Sequence, residues 1–231
     1  LFFAGYPMSE EICEIGGNVA ENAGGGRAVK YGVTGDYVLG LEVVTGAGEL
    51  LRLGGKRIKD VTGYDLVKLM AGSRGTLGVL TEVSLKVLPR PETRACVMID
   101  GLDDAGAVRA MARALGSPYE VTGAAHLPAG PDGQPVTMLR IEGFAASVAY
   151  RAGKLRDMFG DTPVRVEDDA AKVAEQWAAI RDVQPLAGRG GDVWRISCKP
   201  SDGPRLAARL GADAHHFDWG GGLIWALLPE G

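Results

Sequence analysis

The sequence is poor in several features that would place it in a common protein class. Its 231 residues include only three cysteines, Cys13, Cys96 and Cys198, and no CxxC pair, which argues against a zinc ribbon or an iron–sulfur cluster. A sparse, odd set of thiols is typical of a reducing compartment. No apolar run approaches the roughly 20 residues of a membrane-spanning helix. The start, LFFAGYPMSEE, has no basic flank, unlike a signal peptide.

The chain also has no large excess of basic or of acidic residues. The chain carries 25 basic and 29 acidic residues, and its net charge is −4. No basic block or stripe suggests nucleic acid or an anionic membrane surface as a partner. The 46% of apolar residues are enough for one large domain or two ordinary ones.

Glycine is the residue in excess, with 35 positions. It clusters in IGGN (15–18), NAGGG (22–26) and GSRGTLG (72–78). A P-loop needs Lys and then Ser or Thr, but here Gly55-Lys56 precedes Arg57. A Rossmann fingerprint needs a strand before it and a helix after it, and GSRGTLG has the reverse context. Two interpretations remain: the glycines make turns and bulges, or they form backbone nests for a ligand.

The first part of the chain predicts a small α+β unit. Residues 37–45 and 49–53 read as a hairpin around Gly46-Ala47-Gly48. Residues 60–72 predict a short helix ended by Gly72, and 79–88 predict a half-buried strand. The stiff segment PRPE (89–92) then predicts a boundary, so we expect domains at 1–92 and 93–231.

The second part predicts a ferredoxin-like antiparallel sheet. Strands at 94–100, 120–127, 136–143 and 163–167 and helices at 103–115 and 145–159 follow the order βαββαβ. A helix at 169–181 leads to a further strand, helix, strand and strand, which predicts a second, incomplete repeat of the order βαββ. We expect the two repeats to share one sheet with helices on one face.

Two stretches carry a resemblance to a known family. IGGNVAENAGG…KYGVTGDYVLGLEVV and VTGYDLVKLMAGSRGTLGVLTEVSLKVLPRP resemble the FAD-linked oxidases of the vanillyl-alcohol oxidase, or PCMH, type. Within them the chain looks most like the glycolate oxidase and D-lactate dehydrogenase group. The resemblance covers residues 15–91 densely and implies an α+β fold: the second part of a PCMH-type FAD-binding domain followed by a ferredoxin-like cap.

The resemblance implies FAD as the cofactor and a set of residues that line it. In the family, the glycine-rich segment brings backbone amides against the flavin nucleotide, so side chains on Gly72, Gly75 or Gly78 would block the approach. The implied cofactor-binding residues are Ile15, Gly16, Gly17, Asn22, Gly24, Tyr31, Gly32, Gly72, Ser73, Gly75, Thr76, Leu77, Gly78 and Val79. The flavin would supply the redox chemistry, and the protein would hold and tune it.

The resemblance also raises an expectation about the extent of the chain. In the family, a pyrophosphate loop precedes the part that residues 1–91 resemble, and no such loop is found here. We expect this chain to be a piece of a protein about twice as long, and to bind FAD weakly by itself. The absence of an initial Met points the same way.

The cap indicates which subunit type the chain resembles. Catalytic 2-hydroxy-acid-oxidising subunits carry a metal-binding GHxGDGNxH motif, and the nearest stretch here is AHHFDWGGG (214–222). His215 and His216 are adjacent on a predicted strand and so point to opposite faces. Asp218 shares a face with His216, but we predict no metal site, and we expect the lone His126 to be structural.

The cap segments look like the second flavin subunit, the E subunit, of glycolate oxidase. The implied function is an FAD-binding subunit of a complex that oxidises a 2-hydroxy acid, with a catalytic flavin subunit and an iron–sulfur subunit as partners. The implied location is cytoplasmic, at the inner membrane only through those partners. A catalytic subunit and a non-catalytic structural subunit remain as alternatives, since residues 15–44 resemble the catalytic subunit as much.

Two further residue sets have two interpretations each. Arg27, Lys30, Lys56, Arg57 and Lys59 would steer an acid substrate or FAD phosphates, or they form an ordinary solvated face. The tryptophans Trp177, Trp194, Trp219 and Trp225 most simply pack in the core and on the sheet, and otherwise form a patch for a partner subunit.

Overall fold

The chain divides into two compact units in a computed structural model that describes residues 1–9, 12–55 and 63–231. One unit is Leu1–Arg90 and the other is Pro91–Gly231. Lys56, Arg57 and Lys59, and the first part of the helix predicted at 60–72, lie outside the described residues. No helix in the described residues is long and apolar enough to cross a membrane.

The first unit is a three-stranded antiparallel sheet with short helices against it. Its elements are α1 (Ile15–Ala20), α2 (Ala28–Tyr31), β1 (Val38–Val44), β2 (Leu50–Gly54), α3 (Leu66–Met70) and β3 (Val79–Leu85). The sheet order is β2-β1-β3, so the hairpin predicted around Gly46-Ala47-Gly48 is confirmed. Val19 of α1 and Val67 of α3 join Val43 of β1 in the core of this unit, so packing stabilises helices that are too short to be stable alone.

The second unit contains a single large antiparallel sheet. Its elements are β4 (Thr93–Asp100), α4 (Asp104–Leu115), β5 (Gly123–Leu127), β6 (Val136–Gly143), α5 (Ala145–Met158), β7 (Val164–Glu167), α6 (Ala170–Arg181), β8 (Asp192–Ser197), α7 (Gly203–Leu210), β9 (Ala214–Asp218) and β10 (Leu223–Leu228). Seven strands pair in the order β7-β4-β6-β5-β9-β10-β8, and every pair is antiparallel.

The topology contains the two predicted repeats. The run β4-α4-β5-β6-α5-β7 places its strands in the order β7-β4-β6-β5, which is the ferredoxin-like arrangement. The run β8-α7-β9-β10 repeats the first four of those elements, with its strands in the order β9-β10-β8. The repeats meet at β5 and β9, where His126 pairs with Phe217.

The expectation that all helices cover one face of this sheet is wrong. Helices α4, α5 and α7 pack on the face that carries Val97, Leu139 and Phe217. Helix α6 packs instead on the opposite face, where Val173, Trp177 and Ile180 meet Met98 and Met138. Strands β4, β5 and β6 therefore have apolar residues on both faces, which is why their sequences alternate poorly.

Helix α4 has a cap whose contribution can be measured. The Oδ1 atom of Asp103 accepts a hydrogen bond of 2.7 Å from the amide of Gly106. We expect Asp103→Ala to destabilise the chain by about 1 kcal/mol, because an N-terminal amide of the helix would lose its partner. Urea unfolding of both proteins checks this, with Asp103→Asn, which keeps the acceptor, as the matched control. An unchanged midpoint for Asp103→Ala would contradict it.

Candidate functional site

Backbone hydrogen bonds join α1 to the glycine-rich segment that follows α3. The amide of Gly72 donates to the carbonyl of Val19 over 3.0 Å, and the amide of Arg74 donates to that of Ala20 over 2.8 Å. Asn22, just after α1, has a left-handed φ of 47°. Its Oδ1 accepts from the amide of Gly35 over 2.8 Å, which fixes the turn next to the segment. The structure thus brings together the elements that carry all three glycine clusters of the sequence, since Gly72 also lies next to Asn22, the first residue of NAGGG.

The glycines of the segment 72–78 are required by the chain itself. Gly72 and Gly75 have φ values of 88° and 71°, a conformation that other residues rarely adopt. A Cβ on Gly78 would lie 2.6 Å from Cγ1 of Val43 and 2.7 Å from the carbonyl oxygen of Val44. The turn and the packing on β1 therefore explain these glycines without a ligand, and Gly75 alone has open space where its side chain would be.

Two glycines between α1 and β1 are also explained by contacts within the chain. A Cβ on Gly24 would lie 2.9 Å from Cγ1 of Val33. Gly32 has a φ of 77°, and a Cβ there would collide with the carboxylate of Asp36. The ring of Tyr31 meets that of Phe2 edge-on at 6.1 Å. These three positions shape the loop and do not by themselves indicate a ligand.

Gly16 and Gly17 are different, because nothing in the described chain requires them. Each lies in the first turn of α1, and outside the helix and the chain neighbours no atom of residues 1–9, 12–55 and 63–231 lies within 4 Å of the position of a Cβ on either. Glycine costs about 0.5–1 kcal/mol relative to alanine inside a helix. A bare helix surface next to open space leaves room for a group from outside the chain to approach the backbone.

Exposed apolar side chains are found on the same joined segments. Ile15 and Leu77 are each 41% exposed and Val79 is 67% exposed. Ser73 and Thr76 close the turn between them, since the carbonyl of Ser73 accepts from the amide and the hydroxyl of Thr76 over 3.0 and 2.7 Å. Apolar side chains beside bare backbone suit a flat aromatic ring with a polar edge.

The cations predicted to steer an acid or phosphate are only partly described. The guanidinium of Arg27 lies 5.5 Å from the centre of the Phe2 ring, so it stacks on an aromatic face. Lys30 is exposed at the end of α2.

The histidines of the second unit are split between the two faces of its sheet. Nε2 of His215 lies 2.8 Å from Oδ2 of Asp104, on the face that α4 covers. His216 is buried on the opposite face, and neither of its ring nitrogens has a hydrogen-bond partner among the residues that the structure describes. Within residues 1–9, 12–55 and 63–231, no three His, Cys, Asp or Glu side chains are placed to hold a metal ion.

Asp104 is a member of a polar cluster that the sequence analysis missed. Its Oδ1 lies 3.4 Å from Nε2 of His126, whose Nδ1 lies 3.0 Å from Oγ1 of Thr137. Burial alone would raise the pKa of Asp104, but the hydrogen bond to His215 and the nearby ring of His126 outweigh it and hold that pKa well below its usual range. The cluster opens on a cleft of about 350 Å³. His215 and Asp104 are 111 residues apart, so no spacing in the sequence could reveal it.

The opposite face of the sheet buries a second ionisable pair. Asp218 is 1% exposed and accepts a 2.7 Å hydrogen bond from the amide of Trp219. Burial raises the pKa of Asp218 to about 6, although the hydrogen bond from that amide and the charges of Arg140 and Arg195 act to lower it. Burial, with His215 nearby, lowers the pKa of His216 to about 4. Both side chains therefore favour the neutral form near pH 5.

Comparisons with known proteins agree with this α+β architecture. The FAD binding domain family matches residues 1–54. Glycolate oxidase subunit GlcD of Bacillus subtilis (strain 168) is 54% identical over 98 residues, which is 42% of this chain and 21% of that protein. Glycolate oxidase subunit GlcE of Escherichia coli (strain K12) is 35% identical over 220 residues, which is 95% of this chain and 56% of that protein.

A solved structure shares the fold over nearly the whole chain. Alkyldihydroxyacetonephosphate synthase superposes with a TM-score of 0.73 at 18% identity, covering 96% of this chain and 49% of that one. The chain thus spans between about a fifth and just over half of the length of these proteins. In sequence the chain is similar to FAD-linked oxidoreductases, through the FAD binding domain family at residues 1–54 and through GlcE over 95% of the chain, and FAD is the cofactor that these matches support.

Proposed function

We propose that the chain is an FAD-binding subunit of a glycolate oxidase-type complex that oxidises a 2-hydroxy acid. The observation that carries the proposal is the match to subunit GlcE over 95% of the chain, including the second unit. GlcD of Bacillus subtilis is more identical but matches 42% of the chain, and GlcD of Escherichia coli (strain K12) is 34% identical over 82% of it. The E type is therefore favoured by the greater extent of the GlcE match, and the D type remains the second candidate.

The residues that hold FAD in this proposal belong to the joined segments of the first unit. Gly16 and Gly17 leave the backbone of α1 bare, and Ile15, Leu77 and Val79 are exposed apolar residues of the two joined segments. The remaining predicted positions contribute indirectly, because they fix the conformation of the loops that carry the site. They are Asn22, Gly24, Tyr31, Gly32, Gly72, Ser73, Gly75, Thr76 and Gly78. FAD, when bound, supplies the two-electron acceptor that oxidation of a hydroxy acid to an oxo acid requires.

We also propose that cofactor binding, substrate binding and electron transfer are carried out by different subunits of the complex. The second unit has no metal group of three ligands among its described residues, and His216 and Asp218 are buried and largely neutral near pH 5. In this account the chain carries FAD, a second flavin subunit meets the substrate, and an iron–sulfur subunit receives the electrons. The complex is cytoplasmic and reaches the inner membrane through those partners.

A second candidate is that the chain is itself a catalytic D-lactate or glycolate dehydrogenase subunit. The 54% identity to GlcD of Bacillus subtilis over 98 residues favours it. The third possibility is a structural subunit that keeps the fold without binding the cofactor.

Flavin reduction distinguishes these functions. The purified chain is loaded with FAD without oxygen, mixed with glycolate or D-lactate, and its visible flavin absorption is followed with and without the partner flavin subunit. We expect bound FAD that is not bleached by the chain alone and is bleached once the partner is present. Bleaching by the chain alone would establish the catalytic alternative, and a complex without FAD on this chain would establish the structural one.

A further inference from the structure

The second unit has two surface features that the proposed function does not use. One is Trp194 of β8, which is 55% exposed, so its predicted packing in the core is wrong, and nothing in the described chain shows what covers its exposed part. The other is the cleft of about 350 Å³ beside the cluster of Asp104, His126 and His215. Apolar walls and a few polar groups meet in this cleft, and such a combination is typical of ligand sites.

The walls of the cleft are apolar and rigid. Pro128 and Pro135 flank the turn between β5 and β6, and Pro204 lies in the first turn of α7. Leu102 and Ala208 add aliphatic surface from the loop before α4 and from α7. A proline ring has no rotamer freedom to lose, so a ligand meets a surface that costs little to order. The volume is at the lower end of the range of ligand pockets, which favours a small ligand.

Asp104 is the ionised group that the cleft presents to a ligand. Its Oδ2 lies 2.8 Å from Nε2 of His215, whereas its Oδ1 accepts no hydrogen bond from the described residues. The side chain is 26% exposed, and its low pKa keeps it a carboxylate at neutral pH. One oxygen of this carboxylate is therefore held in place, and the other is available.

The ring of His126 shows that the polar cluster is incomplete. This side chain is fully buried, and its Nε2 has no hydrogen-bond partner in the described chain. Nε2 lies 3.4 Å from Oδ1 of Asp104, which is longer than a normal hydrogen bond. A buried polar atom without a partner is uncommon and often marks a missing water, ion or other group. The unpartnered nitrogen and the available oxygen lie next to each other at the cleft.

The charges around the cleft favour a cation. Asp103 and Asp104 both line it, and its described lining contains no Lys or Arg. The N-terminal end of α4 contributes only about half of a positive elementary charge, which two carboxylates outweigh. An anion would therefore be repelled. A neutral hydroxyl would form a weaker hydrogen bond with the carboxylate than a charged donor would.

The geometry selects an ammonium group among the possible cations. A metal ion needs at least three protein ligands, and no such group is found within residues 1–9, 12–55 and 63–231. A guanidinium pairs best with both oxygens of a carboxylate, but Oδ2 of Asp104 is already bonded to His215. A quaternary ammonium binds to aromatic faces, and His126 is the single aromatic ring in the described lining. A primary ammonium requires one available oxygen.

We propose that the cleft binds a small aliphatic primary amine. The ammonium group donates a hydrogen bond to Oδ1 of Asp104, and the alkyl chain lies against the three prolines. His215 and His126 are positioning residues, since they contact the carboxylate and not the ligand. The site lies within the second unit and its test needs no FAD, so this proposal and the proposed function can fail separately.

Binding of n-butylammonium chloride to the full chain tests the proposal. The titration is followed by the backbone amide resonances of the ¹⁵N-labelled protein at pH 8, where an alkylamine is protonated. We expect saturable shifts at residues 102–105, 126 and 205–208. The control ligand n-butanol has the same chain without the charge and should bind about tenfold more weakly or less. Sodium chloride at the same concentration should cause no saturable shift.

Two variants test the carboxylate and the cleft separately. Asp104→Asn keeps the shape of the side chain and removes its charge, so we expect n-butylammonium to bind about 10- to 100-fold more weakly. Ala208 is exposed on α7, so Ala208→Leu narrows the cleft without removing a contact of the cluster, and binding should weaken about tenfold. Ala146→Leu, at an exposed position of α5, is the matched control and should bind as the wild type does.

Three results would overturn the proposal. The first is the lack of saturable shifts at the cleft with n-butylammonium, and the second is equal binding of n-butanol and n-butylammonium. The third is undiminished binding in a folded Asp104→Asn. If that variant does not fold, undiminished binding in Ala208→Leu has the same consequence.

Discussion

Gly17→Ala is expected to leave the chain folded, to raise its stability slightly, and to weaken FAD binding about tenfold or more. A Cβ at residue 17 meets no atom of the described residues within 4 Å outside its own helix and its chain neighbours, and alanine is favoured over glycine in a helix by about 0.5–1 kcal/mol. A methyl group forced against a ligand costs about 1–3 kcal/mol, and each 1.4 kcal/mol is a factor of ten in affinity. Stability and affinity should therefore change in opposite directions.

Gly78→Ala is the informative comparison, since it adds the same methyl group. Its Cβ would press on the carbonyl oxygen of Val44 and on Val43, which is fully buried. We expect a loss of about 1–3 kcal/mol of stability, a large part of a typical total of roughly 5–15 kcal/mol. Urea unfolding and FAD titration of both variants separate the two effects. Unchanged affinity in a folded Gly17→Ala would remove α1 from the proposed site.

Asp218 and His216 are expected to give the stability of the chain opposite dependences on pH. The pKa of Asp218 is raised from 3.8 to about 6, so the folded state holds a proton that the unfolded state releases, and stability falls as pH rises from about 4 to 6. The pKa of His216 is lowered from 6.5 to about 4, so the unfolded state takes up the proton first, and stability rises over about pH 4 to 6.5.

Single variants should reveal the two slopes. Asp218→Asn leaves the His216 dependence, so its stability should rise by roughly 2–3 kcal/mol between pH 4 and pH 6.5, at about 1.4 kcal/mol for each unit of pKa shift. His216→Leu leaves the Asp218 dependence, and its stability should fall by a similar amount. Urea unfolding at pH 4, 5, 6 and 6.5 measures both, with the double variant as the control that should show neither slope. The same sign of slope in both single variants would contradict the assigned pKa shifts.

The sequence predicted topology better than it predicted which faces are covered. The hairpin at β1 and β2, the helix α4 and the strand β6 follow local signals: a glycine turn, an Asp cap with a helical apolar stripe, and a β-branched run. The face on which α6 packs depends on whether β4 and β6 present apolar side chains on one side or both. Cys96 and Met98 are buried opposite Val97 and Ile99, and this pattern reads only as a continuous apolar run.

The sequence of a glycine-rich motif does not reveal whether its glycines are needed for the backbone conformation, for packing or for a ligand. GSRGTLG is a strong family signal. Gly72 and Gly75, however, are explained by their positive φ angles, and Gly78 is explained by its close packing on β1. Gly16 and Gly17 look no different in the sequence, and only their surroundings in the fold reveal that the chain does not need them. Asp104 and its two histidines converge from three distant elements, so no local pattern could predict the cluster.

The most direct test of the account is hydrogen exchange of the full chain with and without FAD, with FAD well above the midpoint of its titration. If FAD lies against the joined segments, the amides of residues 15–20 and 72–79 should gain protection, and those of β8 and α6 should not change. The same protection should be smaller in Gly17→Ala when both proteins are compared at the FAD concentration of the wild-type midpoint. Protection confined to the second unit, or none at 15–20 and 72–79 with FAD demonstrably bound, would contradict the placement of the cofactor.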